Sequence, residues 1–168
     1  MNRQVIGRSR HRSRGFTLIE ISIALGVMAT LLMGAVPLLR AEQQRAKEAQ
    51  LKHSLMQIRQ ALDRYKQAGD EGRIARNAGS SGYPASLAVL ARGEVVVNSP
   101  TPERIYFLKR IPRDPFASAA SEQLPPELTW QTRAYSSAPD APAPGADVFD
   151  VFSQSTRIGS DGLPYSKW

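Results

Sequence analysis

The sequence predicts an α+β fold in which a long N-terminal helix, membrane-spanning and then amphipathic, packs on a small antiparallel β-sheet. An apolar run at residues 16–39 is long enough to cross a bilayer, whose hydrocarbon core requires about 20 apolar residues in a helix. An apolar stripe at helical spacing follows this run. Beyond residue 69, short strand-like segments alternate with turn residues, which favours a small head of mixed structure.

The apolar run contains a single charged residue, Glu20. A carboxylate at mid-bilayer costs about 2.5–3.5 kcal/mol, so such groups are usually functional and paired. Small residues recur every four positions and form one narrow stripe: Ser22, Gly26, Thr30 and Gly34. Such stripes let membrane helices approach closely. Two alternatives stay open here: Glu20 could snorkel to the headgroup boundary without a partner, and the stripe could be chance spacing.

The positive charge of the chain is concentrated before the apolar run. The chain has 22 Lys and Arg against 15 Asp and Glu, and residues 1–15 contain five arginines and no acid. Without those five, 17 basic residues face 15 acidic ones, so the remainder gives little support for nucleic-acid binding. By the positive-inside rule, residues 1–15 are cytoplasmic and the chain beyond the span lies on the other side.

Residues 40–68 are predicted to continue the helix as an amphipathic segment. The apolar positions advance by steps of four and three: Leu51, Leu55, Ile58, Leu62 and Tyr65. This stripe would cover one side of a small domain. His53 lies on the same segment, where we expect it to be solvated. Gly69 is the predicted stop signal of the helix.

Residues 69–168 are predicted to form the globular head. The segments expected in it are a short helix at Tyr83–Ala91 and strands at Glu94–Asn98, Leu128–Tyr135 and Val148–Ser153. Residues 136–145 form an Ala/Pro-rich loop without a core of its own.

Residues that carry chemistry are scarce. The absence of cysteine excludes disulfides, zinc–thiolate sites and thiol catalysis. A Ser-His-Asp site would have to use His53, because the other histidine, His11, lies in the basic N-terminal segment. Neither a phosphate-binding loop nor a zinc-protease or EF-hand motif is present. We therefore do not expect an enzyme.

The junction Gly15-Phe16-Thr17-Leu18-Ile19-Glu20 resembles the processing site of type IV prepilins and type II secretion pseudopilins. An ordinary secretory signal would carry its cleavage site after the apolar core, and none follows this run. The resemblance implies that prepilin peptidase cuts after Gly15, removes residues 1–15 as a leader and methylates Phe16. It also implies a role for Glu20 in assembly, and the new ammonium group at Phe16 would offer it a partner of opposite charge.

A second resemblance points to the major (G-type) pseudopilin of type II secretion systems. Residues 108–116 are similar to the segment between helix and sheet in that family, and residues 147–153 to its C-terminal region. Phe116-Ala117 stands where tryptophan and glycine are usual. The resemblance implies a type IV pilin-like fold and a single-pass inner-membrane subunit with a periplasmic head. It would assemble with other pseudopilins and an inner-membrane platform to support protein export.

Two rival functions stay open. One is a minor pseudopilin or a type IV pilin that serves adhesion, motility or DNA uptake. The other, from a different class, is a periplasmic binding module on a plain signal anchor. The junction at Gly15 and Phe16, together with Glu20, argues against that module.

Calcium is the one cofactor that the pseudopilin resemblance implies. The candidate ligands are Asp147, Asp150 and Asp161, because Ca²⁺ prefers six to eight oxygen ligands including carboxylates. However, residues 160–164 lack the later acidic residues of the family. Turn-forming aspartates without a bound ion are the favoured interpretation.

Overall fold

The computed structural model describes residues 16–97 and 99–168. The chain forms two compact units, one ending at Glu42 and the other running from Gln43 to Trp168. The helices are α1 (Leu18–Asp70) and α2 (Leu87–Arg92), and the strands are β1 (Glu94–Val95), β2 (Arg104–Ile105), β3 (Trp130–Arg133) and β4 (Asp150–Ser153). Three short 3₁₀ turns are at Ala119–Ser121, Pro126–Thr129 and Tyr165–Lys167.

The first unit contains the N-terminal part of α1, on which the apolar side chains are exposed. Between Phe16 and Leu39, 14 large apolar residues are accessible to solvent. The helix continues through Pro37. Among the described residues, α1 is the one helix whose length and composition suit a membrane crossing. Apolar surface on this scale is unfavourable in water, so the stretch requires lipid or neighbouring helices around it.

The second unit is built on the C-terminal part of α1. The predicted stripe is its buried face: Leu51, Leu55, Ile58 and Leu62 are buried, and Tyr65 meets the ring of Phe107 edge-on at 5.1 Å. One hydrophobic core joins this face to residues of α2, β3, β4 and the last 3₁₀ turn, including Leu90, Trp130, Val151 and Tyr165. The amphipathic part of α1 is therefore an integral part of the folded unit.

The strands pair as two separate antiparallel ribbons. Strands β1 and β2 pair with Glu94 opposite Ile105, while β3 and β4 pair with Trp130 opposite Ser153. We predicted one small sheet, whereas the described residues contain two two-stranded sheets. The chain between β2 and β3 contains four prolines, at positions 112, 115, 125 and 126, and proline cannot donate to a strand ladder. The α+β class itself is confirmed.

The observed ends of helices and strands differ from the predicted ones close to proline and glycine residues. The short helix starts at Leu87 rather than Tyr83, since Pro84 precedes an extended N-cap at Ser86. It ends at Arg92, and the φ of +75° at its C-cap Gly93, together with the close approach to the carbonyl of Ile105, requires glycine there. The strand predicted at Leu128–Tyr135 begins later, at Trp130, because the preceding residues form the 3₁₀ turn Pro126–Thr129.

Candidate functional site

The first turn of α1 carries the carboxylate of Glu20 close to Phe16, the residue that would become the N-terminus after cleavage. The N–H of Glu20 donates to Thr17 Oγ1 at 3.3 Å, so Thr17 caps the helix. The pair has the Thr-x-x-Glu spacing of a capping box. Phe16 and Glu20 line one shallow apolar depression with Ile21, Ala24, Leu25 and Met28. Gly15 lies outside the described residues.

The small-residue stripe presents a smooth, open surface. The hydroxyl of Ser22 donates to the carbonyl of Leu18 at 2.9 Å, and that of Thr30 to the carbonyl of Gly26 at 2.7 Å. Both polar groups are thus satisfied within the helix. A Cβ added at Gly26 or Gly34 would meet no atom within 4 Å. The space beside both glycines is therefore not filled by this chain, and close packing by a neighbouring helix requires such space.

In the second unit, a buried carboxylate joins α1 to the end of the chain. Glu48 is only 5% exposed. Its Oε1 accepts hydrogen bonds from Ser160 N at 3.0 Å, from Gln44 Nε2 at 2.9 Å and from the Tyr165 hydroxyl at 2.8 Å. Its Oε2 accepts a further one from the Ser160 hydroxyl. Four hydrogen bonds from neutral groups therefore hold this carboxylate.

Hydrogen bonding sets the protonation of this cluster. Burial by itself would raise the pKa of Glu48, but the bonds from Ser160, Gln44 and Tyr165 outweigh it and lower the pKa from 4.5 to about 2. Burial and the bond to Glu48 both raise the pKa of the Tyr165 phenol. Glu48 is therefore ionised, and Tyr165 is a neutral donor, at neutral pH.

We expect the contribution of Glu48 to stability to be lost in acid. Because its folded pKa lies below its unfolded value, the contribution is complete above pH 4.5 and fades as the pH falls towards 2. Thermal unfolding of the full chain in detergent, with Glu48→Gln beside the wild type, measures this. The difference in melting temperature between wild type and Glu48→Gln should be largest near neutral pH and should decrease below pH 4.5. A gap that stays constant to pH 3 would contradict the assignment.

Two further polar groups fasten β4. Arg59 on α1 donates to Asp150 Oδ1 at 2.8 Å, and also to the carbonyls of Val151 and Trp168. The buried carboxylate of Asp114 accepts from the Ser153 hydroxyl at 2.6 Å and from the N–H of Phe116 at 2.8 Å. These bonds tie β4 to α1 on one side and to the chain before β3 on the other.

The three candidate calcium ligands have separate structural roles. Asp147 accepts from the hydroxyl of Ser81 and the N–H of Tyr135, and Asp150 pairs with Arg59. Asp161 accepts from the N–H of Leu163 at 3.0 Å and closes a local turn. In the described ranges, no group of three or more His, Asp or Glu side chains is placed to hold a metal ion. Each of the three carboxylates therefore already has a protein partner of its own.

Sequence reasoning missed the polar residues that organise the second unit. Glu48 precedes Leu51 by three positions, so it continues the apolar stripe with a charged residue. That pattern break was the available signal, because a carboxylate at a core position requires buried donors. Asp114 stands directly before Pro115, which predicts a turn but not the bond to Ser153. His53 is exposed on α1, as expected.

Comparison with known proteins identifies the family. Residues 10–36 match the prokaryotic N-terminal methylation motif. The chain is 30% identical over 119 residues to type II secretion system core protein G of Pectobacterium carotovorum subsp. carotovorum, covering 67% of each chain. It is 29% identical over 136 residues to the protein of that name from Klebsiella pneumoniae, covering 77% of this chain and 86% of the relative. No solved structure matches it significantly.

The matched regions coincide with the features described above. The methylation motif covers the junction of Gly15 and Phe16, the residue Glu20 and the small-residue stripe. The matches to the core proteins extend over two thirds or more of this chain and of those relatives. The chain therefore belongs to the type II secretion system core protein G family, the major pseudopilins.

Proposed function

We propose that this chain, by its family a structural subunit of a type II secretion pseudopilus, is matured between Gly15 and Phe16 and enters the fibre through residues 16–39 of α1. The observation that carries the proposal is the uncovered apolar surface of that helix directly behind a prepilin processing motif. A simple anchor needs the apolar surface alone. A fibre subunit needs the processing junction as well.

The same helical surface would serve two environments in turn. Before assembly, lipid of the inner membrane would cover it, with the five N-terminal arginines in the cytoplasm and the second unit in the periplasm. After assembly, helices of neighbouring subunits would replace the lipid, and the stripe at Ser22, Gly26, Thr30 and Gly34 would allow close approach. The partners of this route are prepilin peptidase, other pseudopilins and an inner-membrane assembly platform.

Glu20 would set the position of each new subunit. Cleavage after Gly15 leaves an ammonium group on Phe16, which prepilin peptidase then methylates. Within a fibre the surroundings of this group are apolar, so it needs a counter-charge close by. The carboxylate of Glu20 on a neighbouring subunit meets that need.

A structural rather than catalytic role is supported by the use of polar groups in the second unit. The carboxylates of Glu48, Asp114 and Asp150 are engaged with hydroxyls, backbone N–H groups and Arg59. Each holds a loop or strand in place. The relatives that the chain matches are named type II secretion system core protein G.

The mature protein is expected to begin at N-methylated Phe16. Intact-mass measurement on protein extracted from membranes should give the mass of residues 16–168 plus one methyl group. Gly15→Leu should retain the complete leader, since the peptidase recognises the glycine. Gly7→Leu, a glycine change within the same leader, is the matched control and should be processed normally. A wild-type chain that keeps its arginines, or one cut after Leu39, would contradict the proposal.

A further inference from the structure

We propose that Glu48, and not a bound metal ion, fastens the C-terminal loop (residues 154–164) to α1, so that this loop keeps its fold without metal. The inference goes beyond the proposed function, since it concerns how the second unit is held together and not how subunits assemble.

A cation and a carboxylate demand opposite arrangements of a loop. A calcium ion gathers oxygen atoms, whereas a carboxylate gathers hydrogen-bond donors. Here the donors converge: the N–H and the hydroxyl of Ser160 and the hydroxyl of Tyr165 all point to Glu48. The loop is therefore organised around a buried negative charge.

Three oxygen atoms of the turn at residues 159–163 accept hydrogen bonds from the turn itself. The carbonyl of Leu163 accepts from the N–H of Gly159 at 2.8 Å, and the carbonyl of Gly159 accepts from the N–H of Gly162 at 3.1 Å. The carboxylate of Asp161 accepts from the N–H of Leu163. These bonds close residues 159–163 into a turn that is held by its own hydrogen bonds.

Close packing leaves little room for an ion and its ligands in this turn. A Cβ added at Gly159 would lie 2.6 Å from Trp168 Cζ2 and 2.9 Å from Tyr165 Cε1. The ring of Tyr165 stacks on Phe116 with centroids 4.0 Å apart, and Trp168 meets it edge-on at 5.0 Å. Glu48 thus holds the turn from one side while aromatic rings pack around Tyr165.

Glu48 is a residue of α1, so its hydrogen bonds join parts of the chain that are far apart in sequence. Ser160 lies 112 residues beyond Glu48, and Tyr165 lies 117 residues beyond it. Arg59, by contrast, reaches Asp150 in β4 and the carbonyl of Trp168, which lie on either side of the loop. The hydrogen bonds of Glu48 reach Ser160 within the loop itself.

The test compares Glu48→Gln with wild type as full chains in detergent, in millimolar calcium and in EDTA. Glutamine keeps the shape of the side chain but offers one acceptor oxygen and one donor group, so at least one donor of Ser160 loses its partner. Hydrogen exchange of the Ser160 amide should become about tenfold faster, the equivalent of about 1.4 kcal/mol. The melting temperature should fall equally in calcium and in EDTA.

Two comparisons make the result decisive. Glu122→Gln removes the same charge from an exposed position and should match wild type in both measurements. Ser160→Ala removes only the hydroxyl donor and should give a smaller change of the same sign, which keeps the test usable if Glu48→Gln does not fold.

Two outcomes would overturn the proposal. The first is a wild-type melting temperature that rises in calcium, with the rise lost in Asp161→Ala, because the loop would then hold the ion. The second is unchanged exchange at Ser160 in both Glu48→Gln and Ser160→Ala.

Discussion

Replacing Glu20 by glutamine should abolish fibre assembly while leaving insertion, cleavage and the second unit intact. Glutamine can still serve the N3 position of a capping box with Thr17, so the helix start is preserved. Removing the charge makes the span more apolar, which favours insertion. What is lost is the counter-charge for the Phe16 ammonium of a neighbour. Stranding a desolvated charge in this way costs about 3–5 kcal/mol, enough to prevent assembly.

The measurement is the yield of sheared fibres, or cysteine crosslinking between neighbouring spans, at matched amounts of processed subunit. Glu122→Gln, which removes a carboxylate from the surface of the second unit, should assemble like wild type. Glu20→Ala should fail in the same way as Glu20→Gln, because both lack the charge.

An alternative role for Glu20, in starting the helix only, predicts a different result for the two variants. If Glu20 served only to start the helix, Glu20→Gln would assemble normally, and only Glu20→Ala, which lacks the side chain of a capping box, would weaken the helix start. Normal assembly by Glu20→Gln would therefore contradict the proposed pairing of Glu20 with the Phe16 ammonium of a neighbour. The family assignment would stand, since it rests on the match of the chain to core proteins G.

The features that followed from the sequence are those with a strong local signal. The exposed apolar stretch of α1 and the buried stripe at Leu51, Leu55, Ile58 and Leu62 were both predicted from hydrophobic spacing, and both are confirmed. Such patterns are readable because burial repeats at the period of the helix. The strand β4 was also located, where Val151 and Ser153 are buried and alternate with less buried neighbours.

The features that did not follow depend on contacts between distant parts of the chain. No local pattern indicates that Glu48 meets Ser160, or that Arg59 reaches the carbonyl of Trp168. The division into two ribbons likewise depends on which strands meet, and the intervening chain is rich in proline, which cannot donate to a strand ladder. Sequence patterns predict which side of an element is buried, whereas its tertiary partners lie outside the reach of local reasoning.

Ile58→Ala is expected to be among the most destabilising single changes in the second unit. Ile58 is fully buried, at 0% exposure, on the face of α1 that forms the core. Truncation of a buried isoleucine to alanine costs about 2–5 kcal/mol, through lost burial and the cavity left behind. For a chain of this size each kcal/mol lowers the melting temperature by about 2–4 °C. Thermal unfolding of the full chain in detergent measures the fall.

Met56→Ala on the same helix provides the matched control. Met56 is 53% exposed, so its truncation should change the melting temperature little. Equal losses of melting temperature from the two variants would mean that α1 does not present the buried face described above.

The effect of Ile58→Ala on assembly should be the opposite of that of Glu20→Gln. Ile58→Ala should lower the amount of folded subunit, but the subunits that do fold should assemble. Since residues 16–39 are unchanged in that variant, a defect per folded subunit as large as that of Glu20→Gln would show that assembly depends on the second unit as strongly as on the apolar helix.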